Sequence, residues 1–147
     1  MKPTTLSSPS PDESTEVARL FDDWNVALLS RDPARVAALY AEDAILLPTV
    51  SNNVCHNRAE IEGYFVDFMK RSPVGKIIES NVMLMGDVAI HSGLYCFTLT
   101  ECDNVNTVPA RFSFVYRKIG GEWQIVEHHS SQMPESTATQ RQSGSGG

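Results

Sequence analysis

Residues 107–131 read TVPARFSFVYRKIGGEWQIVEHHSS, and they contain the strongest turn signal of the chain. Two strand-like runs, Thr107–Ile119 and Glu122–Ser131, flank the dipeptide Gly120-Gly121. Paired glycines between two such runs are typical of a tight hairpin turn, because both central residues of that turn adopt positive φ. The stretch therefore predicts a β-hairpin that closes the β-rich part of the chain.

Two more strand-like runs precede this hairpin and extend it into a four-stranded meander. They are Lys76–Met85 and Val88–Thr100, and they meet at Gly86-Asp87, another turn signal. A shorter strand is predicted over Ala44–Val50. Because Pro48 cannot donate a hydrogen bond to a neighbouring strand, we expect this strand to be short or to lie at a sheet edge.

Three helices are predicted ahead of the meander. The first has one apolar stripe at helical spacing, formed by Val17, Leu20, Phe21, Trp24, Ala27 and Leu28. The second begins at Asp32-Pro33, a capping residue followed by proline at the first helical position. The third spans Arg58–Lys70. This order predicts an α+β fold in which a curved, mostly antiparallel sheet wraps around the N-terminal helices and encloses a pocket.

The composition indicates one acidic globular domain. The chain has 147 residues, of which 41% are hydrophobic and 20% charged, and its net charge is −6. An acidic chain without a Lys/Arg cluster argues against nucleic-acid and membrane partners. The N-terminus lacks the apolar core of a secretory signal, so we expect a cytoplasmic protein. Three cysteines without CxxC spacing predict free thiols: Cys55, Cys96 and Cys102.

The two ends of the chain differ in composition from the rest. Residues 1–12 are rich in Ser, Pro and Thr, and residues 136–147 read STATQRQSGSGG. Such segments bury too little apolar surface to fold. We therefore predict a disordered N-terminal segment over 1–12, a domain over 13–135 and a flexible tail over 136–147.

Three segments of the domain are similar to a known superfamily. They are Tyr40–Ala44 with Leu47–Thr49, Gly86–Ile90 with Ser92–Tyr95, and Trp123–Pro134. On these segments the chain resembles the nuclear-transport-factor-2-like (NTF2-like) superfamily, which includes the association domain of the calcium/calmodulin-dependent kinase. The run His128-His129-Ser130-Ser131 followed by Met133-Pro134 resembles the iota-class carbonic anhydrases. The resemblance covers residues 14–135.

The resemblance implies a fold, an activity and an assembly. The fold is the NTF2-like cone, and the activity is reversible hydration of CO2 to bicarbonate. The assembly is a homodimer or larger oligomer formed through the sheet. Members of this class are described both with and without a bound metal, so the resemblance leaves the cofactor open.

The histidines do not form a visible metal site. A zinc enzyme of this activity needs three protein ligands and an open position. The candidates are His56, His91, His128 and His129, but adjacent residues on a regular strand point to opposite faces, so His128 and His129 cannot easily bind one ion. We therefore expect no cofactor and a metal-free pocket of hydroxyl groups and one imidazole, with zinc or manganese left open.

Strand parity divides the final segment into two candidate faces. His129 and Ser131 share one face, and His128 and Ser130 share the other, so only one pair can enter the pocket unless a bulge intervenes. Trp123 and Ile125 lie on the face of His129 and suit an interior, although Glu127 on the same face does not. We predict that His129 and Ser131 point inward.

The predicted catalytic residues have separate roles. His129 is the general base for the attacking water, because a neutral imidazole is the best proton acceptor near neutral pH. Ser131 and Thr49 hydrogen-bond the bicarbonate oxygens, and Tyr64 orients the substrate or relays the proton. Apolar walls would admit CO2: Trp24, Phe65 and Leu47. Four further residues are candidates for substrate binding: Tyr95, Ser113, His128 and Ser130.

Two other functions stay open at this point. One is a non-catalytic module that binds a small ligand in the cone or serves in oligomerisation. The other is an isomerase of the ketosteroid type, which needs a carboxylate base in the pocket. Glu127 and Glu101 are the candidates for that base.

Overall fold

A computed structural model describes residues 11–135 of the chain. Its helices are α1 (Pro11–Leu29), α2 (Pro33–Ala37) and α3 (Arg58–Phe68), and a short 3-10 turn, Met69–Arg71, follows α3. Its strands are β1 (Tyr40–Leu47), β2 (Val74–Met85), β3 (Val88–Glu101), β4 (Asn104–Ile119) and β5 (Glu122–Gln132). Helix α1 begins inside the predicted N-terminal segment, because proline is well accommodated in the first helical turn. The rest of that segment and the predicted tail lie outside the described residues.

Polar side chains fix where the shorter helices begin. The side chain of Asp32 accepts a hydrogen bond from the backbone of Ala34, with Pro33 in the first turn, as the sequence predicts. The Asn57 side chain accepts from the backbone of Glu60 and caps α3 in the same way.

The five strands form one sheet in the order β1-β5-β4-β3-β2. The meander β2 to β5 is antiparallel, and β1 pairs with β5 in parallel at one edge. The edge position of β1 confirms the expectation from Pro48, which follows the last residue of the strand. The strand starts at Tyr40 rather than Ala44, because Tyr40 already pairs with Ile125 and the chain bulges before Ile45.

Aromatic side chains of the helices and the sheet form the core. The Trp24 ring of α1 lies 6.1 Å from the Phe65 ring of α3, measured between centroids. It lies 5.9 Å from Phe97 and 5.7 Å from Phe114 on the sheet. All four side chains are buried. The sheet therefore packs around the N-terminal helices, as the α+β prediction requires.

A β-bulge interrupts the alternation of β5. Ile125 pairs with Tyr116 on β4, but the next pair joins Glu127 to Val115, so Val126 is an extra residue in β5. One extra residue exchanges the two faces of everything that follows it. Ile125 and His128 are consequently both buried, although their numbers differ in parity.

A second bulge lies between β2 and β3. The pairing register shifts between Ile77 and Glu79, opposite Tyr95 and Leu94. Gly93 next to it has φ +153°, and the Glu79 carbonyl oxygen lies only 2.0 Å from the position that a Cβ atom at Gly93 would take. No side chain fits there, so glycine is required by both space and backbone conformation.

Candidate functional site

The inward side chains at the end of β5 are His128 and Ser130. Their exposed fractions are 2% and 3%, whereas His129 is exposed and Ser131 is half-buried on the other face. The predicted inward face was therefore wrong. The Val126 bulge is the physical reason. In a regular strand His129 would lie on the same face as Trp123 and Ile125, but the extra residue places His128 on that face instead.

His128 and Ser130 belong to a continuous chain of hydrogen bonds, which we call the relay. The Tyr40 hydroxyl lies 2.8 Å from His128 Nδ1, and the Tyr95 hydroxyl lies 3.1 Å from His128 Nε2. Tyr95 also donates to Ser130 Oγ at 2.6 Å. At the two ends, Trp24 Nε1 donates to Tyr40 over 3.1 Å, and Ser130 Oγ bonds Thr49 Oγ1. In order, the relay consists of Trp24, Tyr40, His128, Tyr95, Ser130 and Thr49.

The chemistry of its inner end sets the direction of the relay. An indole N–H can only donate, so the Tyr40 oxygen accepts from Trp24, and its own proton has His128 Nδ1 as partner. A neutral imidazole then carries its proton on Nε2 and donates it to the Tyr95 oxygen. Tyr95 donates its own proton to Ser130, so the proton of the His128–Tyr95 bond belongs to Nε2, and we assign the Nε2–H tautomer to His128. Either hydroxyl can donate in the bond between Ser130 and Thr49, and we assign Ser130 as the donor because this continues the direction of the relay. Thr49 Oγ1, the last acceptor, keeps its proton for a ligand.

Burial keeps every group of the relay uncharged. Desolvation lowers the pKa of His128 to about 3, and the neighbouring His129 adds a smaller lowering. Desolvation also raises the pKa of Tyr40 and Tyr95 far above the ordinary phenol value. The His128 ring stacks on Phe114 with centroids 3.9 Å apart, which fixes its plane. His128 is therefore a positioned neutral hydrogen-bonding group near pH 7, and a poor base.

The pair Thr49 and Ser130 separates two spaces. The inner chamber has a volume of about 10 Å³, which is room for roughly one water. Its walls include the aromatic side chains Trp24, Tyr64 and Phe65. The outer pocket has a volume of about 380 Å³, the size of a small-molecule site. The internal pocket expected from the sequence thus has room for about one water, and the larger space lies outside it.

The outer pocket brings the two predicted faces together. Its floor is formed by Thr49 and Ser130, the outer end of the relay, and its wall includes His129 and Ser131. The loop of residues 51–54 covers the opposite side. A backbone bridge between Leu46 and Cys55 closes the base of that loop. His129 and Ser131 are thus pocket residues, but they reach the pocket from the outward face of β5.

The remaining candidates lie in different places. Tyr64 lines the inner chamber, and burial raises the pKa of its hydroxyl. Leu47 lines the outer pocket instead of the interior. Ser113 pairs with His129 across β4 and β5 and lies on the outward face, so it does not reach the inner chamber. Glu127 and Glu101 are exposed, and neither is a carboxylate base in the inner chamber, where the isomerase alternative would need one. Glu101 lines another pocket, beside Thr49.

Tyr40 and Trp24 have polar roles that their sequence pattern does not predict. Both residues have the spacing of core residues, and both are buried. The signal that could have found them is chemical: a buried phenol and a buried indole each need a hydrogen-bond partner. In the structure the indole of Trp24 has the Tyr40 hydroxyl as its partner, and Tyr40 has the inward imidazole of His128.

The donor set does not fit a metal ion. Within residues 11–135 no three histidine, cysteine, aspartate or glutamate side chains come together in a way that could hold one. Both ring nitrogens of His128 already bond tyrosine hydroxyls.

Two solved structures show the class of fold to which this chain belongs. A protein from Novosphingobium aromaticivorans with an NTF2-like, cystatin-like fold is 15% identical over 90% of this chain and 96% of that one, with a TM-score of 0.65. A ketosteroid isomerase-like protein from Erwinia carotovora atroseptica is 18% identical over 86% and 100%, with a TM-score of 0.71. These likenesses show an NTF2-like α+β fold. No curated protein matches the chain.

A nearer relative and a sequence profile define the family. The profile of the calcium/calmodulin dependent protein kinase II association domain matches residues 13–134. A Xanthomonas campestris protein assigned to that domain is 46% identical, with a TM-score of 0.83, over 92% of this chain and 100% of that one. This chain belongs to the calcium/calmodulin dependent protein kinase II association domain family. The superfamily part of the resemblance is confirmed, and the iota-class part stays a prediction.

One further finding concerns membranes. No helix within the described residues is long and apolar enough to cross a bilayer. The cytoplasmic location expected from the sequence stays a prediction.

The buried imidazole of His128 predicts a pH dependence of stability. Its pKa is about 3 in the folded protein, against an ordinary value of 6.5. The folded state thus binds fewer protons, so this stability is complete above pH 6.5 and is lost as pH falls toward 3. As the pH falls from 6.5 to about 5, protonation of His128 in the unfolded state should lower the free energy of unfolding by up to about 1.4 kcal/mol for each pH unit.

Urea unfolding between pH 5 and 7 measures this slope. His91 is also buried, and desolvation lowers its pKa, so the wild-type slope contains both imidazoles. His128→Gln should remove the His128 part and so leave a smaller slope than that of the wild type. An equal slope in wild type and His128→Gln would contradict the assignment of a buried neutral His128.

Proposed function

We propose that this protein catalyses the reversible hydration of CO2 to bicarbonate in the outer pocket, at the Thr49 end of the relay. The observation that carries the proposal is the hydrogen-bonded connection between Thr49, Ser130 and Tyr95. It offers preorganised, uncharged donors where charge develops on the oxygens of the product. The resemblance of residues 128–134 to iota-class carbonic anhydrases supports the same reaction.

The reaction needs a water, a proton acceptor and donors for the product. A water oxygen attacks the carbon of CO2, one carbon–oxygen π bond opens, and the water loses one proton to give bicarbonate. Thr49 orients the water and donates its free proton to a developing oxygen, while Ser130 takes the place predicted for Ser131 and holds Thr49 through their shared hydrogen bond. Tyr95 and His128 hold the Ser130 hydroxyl in one orientation. Tyr64 lines the inner chamber, and from there it keeps its predicted role of orienting the substrate or relaying the proton.

His129 is the proposed acceptor of the proton. His128 is a poor base because both its nitrogens are engaged and its pKa is about 3. His129 is exposed and lines the same pocket as Thr49, so it can accept a proton and release it to solvent. The general-base role predicted for His129 therefore stays in the proposal, acting from the outward face of β5.

Stopped-flow CO2 hydration with a pH indicator tests the proposal. Protein purified and dialysed against a chelator should hydrate CO2 well above the uncatalysed rate, since the proposed site uses no metal. Thr49→Val, which keeps the shape and removes the hydroxyl, should lower kcat/KM by about 10²-fold. Wild-type protein at the background rate, with or without added zinc or manganese, would overturn the proposal, and activity only with added metal would overturn its metal-free part.

The family match favours a second candidate from another class. A non-catalytic association module would use the fold to assemble copies of the chain and would bind a small ligand in the outer pocket. The comparisons support this class more directly than they support any reaction, because the matched family is named for association. Sedimentation velocity tests the homodimer that the resemblance implies. Bicarbonate binding without turnover would support this candidate over the enzyme.

A further inference from the structure

We propose that Arg71 is the residue that binds bicarbonate at the mouth of the site. This inference rests on the proposed function, because it names the group that recognises the charged partner of the reaction. CO2 is neutral and needs no cation, whereas bicarbonate is a planar anion. A protein of net charge −6 repels that anion unless a local cation attracts it.

Two further pockets are lined by Val50 and Ser51, the residues that follow Thr49, and Arg71 lines both of them. The side pocket, about 530 Å³, has Thr49, Glu101 and Asn106 in its walls together with Arg71. The tyrosine pocket, about 290 Å³, is formed by Val50, Ser51, Tyr64, Asp67, Phe68 and Arg71. Arg71 therefore shares one pocket with Thr49, the outer end of the relay, and another with Tyr64.

Arg71 is the one lysine or arginine among the described residues that line the inner chamber and these three outer pockets. Its side chain is 38% exposed, so an anion can reach it from solvent. The positive charge also acts on the Tyr64 hydroxyl, where it opposes the rise in pKa that burial causes. Because Arg71 lines both pockets and is positively charged, it is the group that selects anions at the mouth of the site.

The geometry of its ion pair leaves Arg71 able to bind a ligand. Arg71 Nε donates to Glu101 Oε2 at 3.2 Å, which holds the guanidinium in place. The two terminal NH2 groups have no hydrogen-bond partner within residues 11–135. A guanidinium presents two parallel donors that match two oxygens of a planar oxyanion. Glu101 thus acts as a positioning residue for an anion site.

The kinetic signature follows from the equilibrium constant of the reaction. No variant can change the ratio of kcat/KM for hydration to kcat/KM for dehydration at fixed pH. If Arg71 stabilises bound bicarbonate more than the transition state, Arg71→Gln should raise the KM for bicarbonate and weaken product inhibition by bicarbonate, each by about tenfold. The kcat/KM for CO2 should change little.

A binding experiment tests the site without turnover. Nitrate is a planar, unreactive analogue of bicarbonate, and calorimetric titration of the full chain measures its Kd. Arg71→Gln should weaken nitrate binding about tenfold. Lys70→Gln is the matched control: it removes the same charge from the adjacent, exposed residue, whose partner is Asp67 and which lines none of these pockets. Arg71→Lys should recover part of the affinity.

The outcomes separate the two proposals. No nitrate binding by the wild type, or equal Kd values for Arg71→Gln and Lys70→Gln, would overturn the anion site whether or not the protein hydrates CO2. A tenfold loss confined to Arg71→Gln in a protein that does not hydrate CO2 would support the anion site and overturn the enzymatic proposal. Far-UV circular dichroism of each variant verifies that the fold is retained.

Discussion

Replacing Ser130 by alanine should lower kcat/KM for CO2 hydration by about 10²- to 10³-fold. The Ser130 hydroxyl accepts from Tyr95 and bonds Thr49, so it is the link between the buried relay and the outer pocket. Its removal leaves the Tyr95 proton without that acceptor and Thr49 without the bond that orients it. Stopped-flow assays at equal protein concentration measure the loss.

Two other serines make this test specific. Ser131→Ala removes a hydroxyl that lines the outer pocket but lies outside the relay, so its effect should be at least about tenfold smaller. Ser92→Ala, on the outward face of β3, should behave as the wild type. A larger loss in Ser131→Ala than in Ser130→Ala would show that the outward face carries the chemistry and would refute the relay as the site.

Replacing Gly93 by alanine should destabilise the fold by about 3–5 kcal/mol. The new Cβ atom would lie 2.0 Å from the Glu79 carbonyl oxygen and 2.8 Å from its carbon, both backbone atoms of the paired strand. The backbone at φ +153° is also unfavourable for a residue with a side chain. Urea unfolding monitored by tryptophan fluorescence measures the loss.

Gly63 provides the matched control. It lies in α3, is exposed, and has no atom within 4 Å of the position of an added Cβ. Gly63→Ala should stabilise the protein by about 0.5–1 kcal/mol, because alanine has the higher helix propensity. If Gly93→Ala were as stable as Gly63→Ala, the close approach of β2 and β3 at this bulge would be wrong.

Local chemistry was sufficient to predict most of the fold. The glycine turns at 86–87 and 120–121 lie where the sequence places them, with positive φ at Gly86, Gly120 and Gly121. The cap at Asp32 and the edge position of the strand before Pro48 follow from the chemistry of single residues. These features could be predicted because each depends on a few neighbouring residues.

The inward face of β5 could not be predicted in the same way. A bulge depends on how two partner strands match in length and curvature, and Val126 carries no mark of it in the sequence. Glu127, unfavourable on the predicted inner face, was the one local sign. Similarly, the link from Tyr40 to His128 joins residues 88 positions apart, which no local pattern reveals.

The extra residue Val126 has a consequence for reading relatives of this chain. The two histidines, His128 and His129, are identical in sequence, and so are the two serines, Ser130 and Ser131. His128 and Ser130 are nevertheless buried, whereas His129 is exposed and Ser131 is half-buried. A one-position gap placed upstream of the histidines would align the interior His128 and Ser130 of one chain with the outward His and Ser of another, and both of those pairs would still read as identities. Comparisons across this family should therefore be anchored on burial and strand partners, since identity of letters at these positions does not establish identity of role.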